Sequence, residues 1–251
     1  MFGWWRRRRP APPIPDALWQ ATLAGWPFLA ERPAAEAARL RELTGRFLVE
    51  KEFHGAQGLT ITDGIALAIA AQAVLPVLHL GLDWYDDFVG IVVHPDQVVA
   101  RRTSQDDAGV VHEWQEVLAG EAMEQGPVML SWRDVEQAGT SAAEGYNVVV
   151  HEFIHKIDMR DGAADGCPPL GSARRRAWHA VLDAEYERFR EQVTIAERFS
   201  GEPPWLDPYG AENAGEFFAV AGEAYFVNRA RFGTEFPKLL ALFDGFFRRG
   251  G

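Results

Sequence analysis

The chain has one cysteine, Cys167, and that shortage closes several routes at once. An internal disulfide is excluded, nothing points to an oxidising compartment, and a cysteine-type zinc site cannot be built. Cys167 itself reads as a small loop residue ahead of Pro168 and Pro169. Excess positive charge is also lacking. The net charge of −11 argues against direct nucleic-acid binding and leaves a basic protein or peptide as a partner. No apolar run is long enough for a membrane span, which needs about 20 residues. The nearest, 64–80, carries Gln72 and is broken at Pro76, so it reads as a central buried helix. Near the start, Trp4, Trp5 and four arginines are followed by a proline-rich stretch where an export signal would need an apolar one. Residues 1–15 are therefore expected to be a disordered, basic, proline-rich tail, and the protein is expected to be cytoplasmic. Hydrophobic residues make up 47% of the chain, enough for a substantial core in 16–251.

Histidine is scarce too, with seven in the chain, yet two of them stand four apart in His151-Glu152-Phe153-Ile154-His155. Four residues of α-helix turn through about 400° and rise about 6 Å, so both imidazoles leave one face and can close on one tetrahedral metal ion. Glu152 sits about 100° around the helix from His151. From there it can reach a metal-activated water as general base without being a ligand. The flanking Val148, Val149, Val150, Phe153, Ile154 and Ile157 are apolar, so the helix presents three polar groups from a buried setting. Burying them without partners costs several kcal/mol, and a bound metal removes that cost.

Elsewhere the pattern is mixed. Residues 16–49 read as amphipathic helix, with Asp16 as a cap and breaks at Pro27 and Pro33. Residues 51–55 read as a connector. Strands are expected at 88–94, 110–118 and 128–132, with a connection at 120–126. Long helices are expected at 172–194 and at 213–228, the latter capped by Asn213, with a last helix from near Pro237. His54, His79, His94, His112 and His179 read as loop, core or surface residues. The aromatic side chains Phe232, Phe236, Phe243, Phe246 and Phe247 are candidates for a binding surface, though core packing is the plainer account.

A catalytic zinc takes three protein ligands and one open position. The residues themselves offer Glu216, Glu223, Glu144, Asp158, Asp161 or a further histidine as the third, and spacing does not choose. Glu216 and Glu223 are seven apart, two turns along nearly one helix face. Asp158 can accept the second N–H of a ligand histidine, or end its helix and pair with Arg160 or Lys156. Asn147, one turn before His151, and Glu223 can likewise support the ligands from behind.

The motif in its context, Asn147 and then His151 to Asp158, resembles the active-site helix of the Mlc titration factor A family, bacterial zinc metallopeptidases similar in catalytic core to anthrax lethal factor. The 65–78 helix with Ala70-Ala71-Gln72-Ala73, the 127–132 strand and the 209–226 block share the likeness. In that family a tyrosine precedes a zinc-binding glutamate by seven residues in a Glu-Phe-Phe-Ala context. Tyr209 and Glu216-Phe217-Phe218-Ala219 match it. The resemblance implies Zn²⁺ held by His151, His155 and Glu216, with Glu152 as base and Tyr209 stabilising the oxyanion. It implies an α+β, zincin-like domain over 16–251, with an N-terminal helical part, a small mixed sheet beside the active-site helix and further packed helices. The activity implied is a gluzincin-like peptidase, aminopeptidase or endopeptidase, acting on a peptide or protein. An alternative is a regulatory module that sequesters a DNA-binding repressor of glucose uptake, with peptidase activity secondary.

Overall fold

Residues 11–105 and 111–248 are described by the computed structural model, except for the side chains at 99–105 and 111–118. Among them the elements run α1 (Asp16–Gly25), α2 (Ala34–Glu50), β1 (Glu52–Gly55), α3 (Asp63–Ala73), β2 (Gly90–His94), β3 (Val98–Gln105), β4 (Val111–Leu118), β5 (Gly120–Ala122), β6 (Val128–Ser131), α4 (Trp132–Ser141), α5 (Val148–Asp158), α6 (Ser172–Phe199), α7 (Ala214–Val227), α8 (Arg229–Glu235) and α9 (Pro237–Phe243). The architecture is α+β. One four-stranded mixed sheet has the order β1-β2-β6-β5, with β1, β2 and β6 parallel and β5 antiparallel along the edge of β6. β3 and β4 pair separately as an antiparallel ribbon, Val98 opposite Leu118.

Three helices are buried and set the site. α3 is apolar all round, with Leu67 to Ala73 buried, as a helix enclosed by others must be. Thr62 caps it by accepting from Ile65 N–H. α5 packs against α7, and Gly222 lets them approach: a Cβ there would stand 2.8 Å from Ile154 Cγ1. Asn147 caps α5 through Val150 N–H, and Asn213 caps α7 through Glu216 N–H. One core cluster runs from Ile14 to Phe247.

Several expectations need correction. Residues 51–55 are not a plain connector, because Glu52 to Gly55 pair in register with Gly90 to Val93 as an edge strand. Gly120–Ala122, expected within a connection, is the opposite edge. The 98–105 strand was not anticipated at all. The apolar run from 64 stays helical only to Ala73, three residues before Pro76. Pro15, not Asp16, stands at the start of α1, and Asp16 is its first helical residue. The last helix starts at Pro237 as expected, but it passes after Phe243 into a closing π turn, Asp244–Arg248, and the short helix before it, α8, has no counterpart among the expected elements. The five phenylalanines of this C-terminal region lie in the core, each at 5% exposure or less, so they form no exposed aromatic docking face. Residues 1–10 of the expected tail lie outside the described residues, while Ile14 is buried in the core. Among the described residues, no helix is long and apolar enough to cross a membrane.

Candidate metal centre

Helices α5 and α7 bring His151, His155 and Glu216 together, each offering a ligand atom within 4.8 Å of the others. His151 Nε2 lies 3.1 Å from His155 Nε2 and 3.1 Å from Glu216 Oε2, and His155 Nε2 lies 3.2 Å from the same oxygen. A tetrahedral ion with bonds of about 2.0–2.1 Å spaces its ligand atoms about 3.3 Å apart, so this triangle is the size of one face of such a shell. Sixty-one residues separate Glu216 from His155, and the Asn213 cap fixes where the carboxylate meets the imidazoles.

Proton accounting points the same way. His151 Nδ1 is 2.7 Å from Glu223 Oε1, so that nitrogen carries the hydrogen and donates it to the carboxylate. Its Nε2 then presents a lone pair towards another ring nitrogen and a carboxylate oxygen. A proton or a cation must supply the missing positive charge. Burial alone would lower the His151 pKa, but Glu223 and Glu216 outweigh it and hold it well above the usual value. Burial would raise Glu216, yet the hydrogen bonds from His151 and His155 hold it well below the usual range. A donor set of two imidazoles and one ionised carboxylate fits a borderline divalent cation such as zinc.

Behind His151 runs a buried polar chain. Glu223 Oε2 accepts from the backbone N–H of Asn147. The Asn147 side chain accepts from Val150 N–H at 2.9 Å and donates to Gln72 Oε1 at 2.8 Å, and Gln72 donates to Ala68 O at 3.0 Å. Glu223 is 1% exposed and Asn147 and Gln72 0%, so each group in this chain depends on the next. Sequence reasoning missed Gln72 as a participant. The available signal was one amide in an apolar helix, which must find a buried partner.

Glu152 is buried at 5% exposure, and burial raises its pKa against the lowering effect of His151 and His155. It faces Gly120 on β5, where an added Cβ would stand 2.6 Å from Glu152 Oε1. Gly120 was also missed; it makes room for this carboxylate. Tyr209 lies in a short 3₁₀ turn, Pro208–Ala211, started by Asp207, whose Oδ1 accepts from Tyr209 N–H at 3.0 Å. Its ring is 6.1 Å from that of His151 and 37% exposed, so the phenol stands at the solvent side of the group.

Asp158 takes neither expected pairing. Its Oδ2 accepts from Gly166 N–H at 2.9 Å, while Arg160 pairs with Asp86 and Asp87 and Lys156 with Asp87. Gly166 has φ +80° and a Cβ there would stand 2.4 Å from Ala214 O, so the loop folds back between α5 and α7 and brings its N–H to Asp158. Burial raises the Asp158 pKa to about 7. Of the other candidates, Glu144 is exposed and Asp161 pairs with Arg175, and neither joins His151, His155 and Glu216 in the group that could hold a metal. His54 sits by Glu52, His79 by Glu36 and His179 by Asp183.

Comparison with known proteins agrees over the full length. The family described as glucose-regulated metallo-peptidase M90 matches residues 2–248. The chain is 34% identical over 251 residues to Mlc titration factor A of Serratia proteamaculans, covering 99% of this chain and 93% of that protein. It is 33% identical to the protein of the same name from Salmonella arizonae, over 93% of this chain and 91% of the relative. With the relative from Enterobacter sp. strain 638 the identity is 33%, over 99% and 92%. With a match spanning nearly every residue, the chain belongs to the glucose-regulated metallo-peptidase M90 family.

Proposed function

We propose that the protein is a zinc-dependent peptidase of zincin-like, gluzincin type. The observation that carries the reading is the triangle of His151 Nε2, His155 Nε2 and Glu216 Oε2, with sides of 3.1–3.2 Å. Zinc bound there supplies a Lewis acid that lowers the pKa of water to about 7 and polarises a carbonyl. The remaining work falls to the chain. Glu152 takes a proton from the attacking water and returns it to the leaving amine, and burial that raises its pKa favours that return. The Tyr209 hydroxyl donates to the oxyanion. Glu223, held by Asn147, keeps the His151 hydrogen on Nδ1 and Nε2 free to ligate. β5 is a sheet edge beside α5, so an extended peptide can pair along it with its carbonyl near Glu152.

The test is Glu152→Gln, which keeps shape and removes the base. Peptide hydrolysis should fall by about 10²–10⁴-fold while zinc content is unchanged. Hydrolysis at the wild-type rate sinks the mechanism.

A second reading rests on the name shared by the relatives, Mlc titration factor A. In it the protein captures Mlc, a DNA-binding repressor, with peptidase activity secondary. Capture of purified Mlc by Glu152→Gln and by metal-stripped protein, as well as by the wild type, supports a binding role independent of catalysis. Capture by none of the three removes it.

A further inference from the structure

Far along α7 from the metal group lies a cavity of about 560 Å³, within the range typical of small-molecule sites. Glu216 is in the first turn of α7, while the cavity is lined from its end, Tyr225 to Val227, roughly 15 Å along the axis. Phe28, Leu75, Leu78, Phe226, Leu240 and Phe247 give it apolar walls. Three guanidinium groups, from Arg32, Arg229 and Arg248, line it as well.

These arginines share their acceptors, and Arg248 Nε stands 3.7 Å from Asp244 Oδ1. Arg229 Nη2 reaches both oxygens of Asp244, at 2.6 and 2.7 Å. Arg248 Nη1 stands 3.5 Å from Glu36 Oε1, and His79 Nε2 lies 3.4 Å from the same oxygen. Arg32 Nη1 is 3.9 Å from Glu36 Oε2, and its Nη2 donates to Phe226 O at 3.4 Å. Three cations thus share two carboxylates, with Glu31 at the exposed rim as a third. Arg32 Nε, Arg229 Nη1 and Glu36 Oε2 are buried without a hydrogen-bond partner. One of the three is itself an acceptor and all are sealed from the open volume, so the guanidinium surface a ligand can meet is chiefly that of Arg248, 41% exposed. Burial lowers the Arg32 pKa, and Arg248 and Arg229 press it in the same direction against Glu36. A ligand that relieves the repulsion among the three lining guanidiniums is an oxyanion. The apolar walls add that its body is apolar.

We propose that this cavity is a second ligand site, taking a small organic oxyanion whose charged head meets Arg32, Arg229 and Arg248 and whose apolar body lies against Leu78, Phe226 and Leu240. The site is independent of the metal group and of the peptidase reading.

Phenyl phosphate is the probe and benzamide, with a similar body and no charge, the control. Titration calorimetry on the full chain with zinc present should show saturable phenyl phosphate binding that weakens with salt. The affinity should drop about tenfold or more in Arg248→Gln and in Arg32→Gln, each checked for folding by its melting curve. Methyl resonances of Leu78 and Leu240 should move on binding, and those of Ile154 beside the metal group should not. Because Arg248 is 41% exposed at the end of the described chain, its replacement leaves the core intact even if Arg32→Gln does not fold. The proposal is overturned by no saturable binding up to about 10 mM. It is equally overturned by benzamide binding as well as phenyl phosphate, by an affinity unchanged in Arg248→Gln, or by shifts confined to Ile154.

Discussion

Helix α7 serves two polar clusters, and they are finished to different degrees. At its first half, Glu216 meets two imidazoles, and both oxygens of Glu223 are taken, by His151 and by the Asn147 N–H. At its far end, Arg229 and Arg32 each leave a buried nitrogen unpaired, and Glu36 leaves an oxygen. The contrast is instructive because both clusters sit in the same low-dielectric setting, where an unmatched group is costly. The first is matched so that one ring nitrogen points one way, which suits a small cation that tolerates little error in ligand placement. The second is under-matched around a volume large enough for a molecule.

The sharpest way to break the comparison is to remove a donor from the matched end. Glu216→Ala takes away the oxygen that lies 3.1–3.2 Å from both imidazoles. Zinc affinity should fall by more than about a hundredfold, read by competition with a chelating dye. Phenyl phosphate binding at the far end should be unchanged. Metal retention at wild-type affinity would show that the triangle is not a ligand set.

A subtler change separates ligand from base. Gly120→Ala puts a Cβ 2.6 Å from Glu152 Oε1, and the carboxylate end of a flexible side chain is what must give way. The fold and the metal should be retained, while peptide turnover should fall on the order of tenfold to a hundredfold, since a misplacement of about 1 Å costs that much. The split between kcat and metal content is the measurement. If kcat is unchanged, the Gly120 gap does not position Glu152 for the reaction.

The matched end was also the legible one, for a physical reason. His151, Glu152 and His155 fall within five residues, and helix geometry turns that spacing into a shared face. Asn213 is legible as a helix-starting residue because its side-chain oxygen accepts a local N–H group; Asn147, expected only as a support for the ligands, caps α5 in the same way. Glu216 came from a resemblance, since nothing in local spacing prefers it to Glu223. Short strands were illegible: β5 has three residues and β1 four, too few to show an alternating pattern, and β1 is held by a partner far along the chain, Glu52 facing Gly90. The far cluster left no trace in sequence. Arg32 and Glu36 stand just before and in the first turn of α2, His79 beyond the end of α3, Arg229 at the start of α8 and Arg248 in the closing turn, so only the packing of distant segments brings them together.

The smallest effect concerns the one well-paired arginine contact at the far end. Burial would raise the pKa of Asp244, but its hydrogen bonds from Arg229 and Tyr225 lower it from the model-compound value of 3.8. A carboxyl depressed in the folded state contributes stability that is fully present above its unfolded pKa and is lost as pH falls through the folded one. The contribution is modest, since both partners are about a third exposed and solvent screens the pair. Asp244→Asn should therefore lower the melting temperature at neutral pH by a few degrees, and the gap to wild type should close below about pH 4. A gap that stays constant as the pH falls well below that value would mean that Asp244 acts through shape and hydrogen bonding alone. Arg229 would then be more available to an incoming anion than the present pairing makes it.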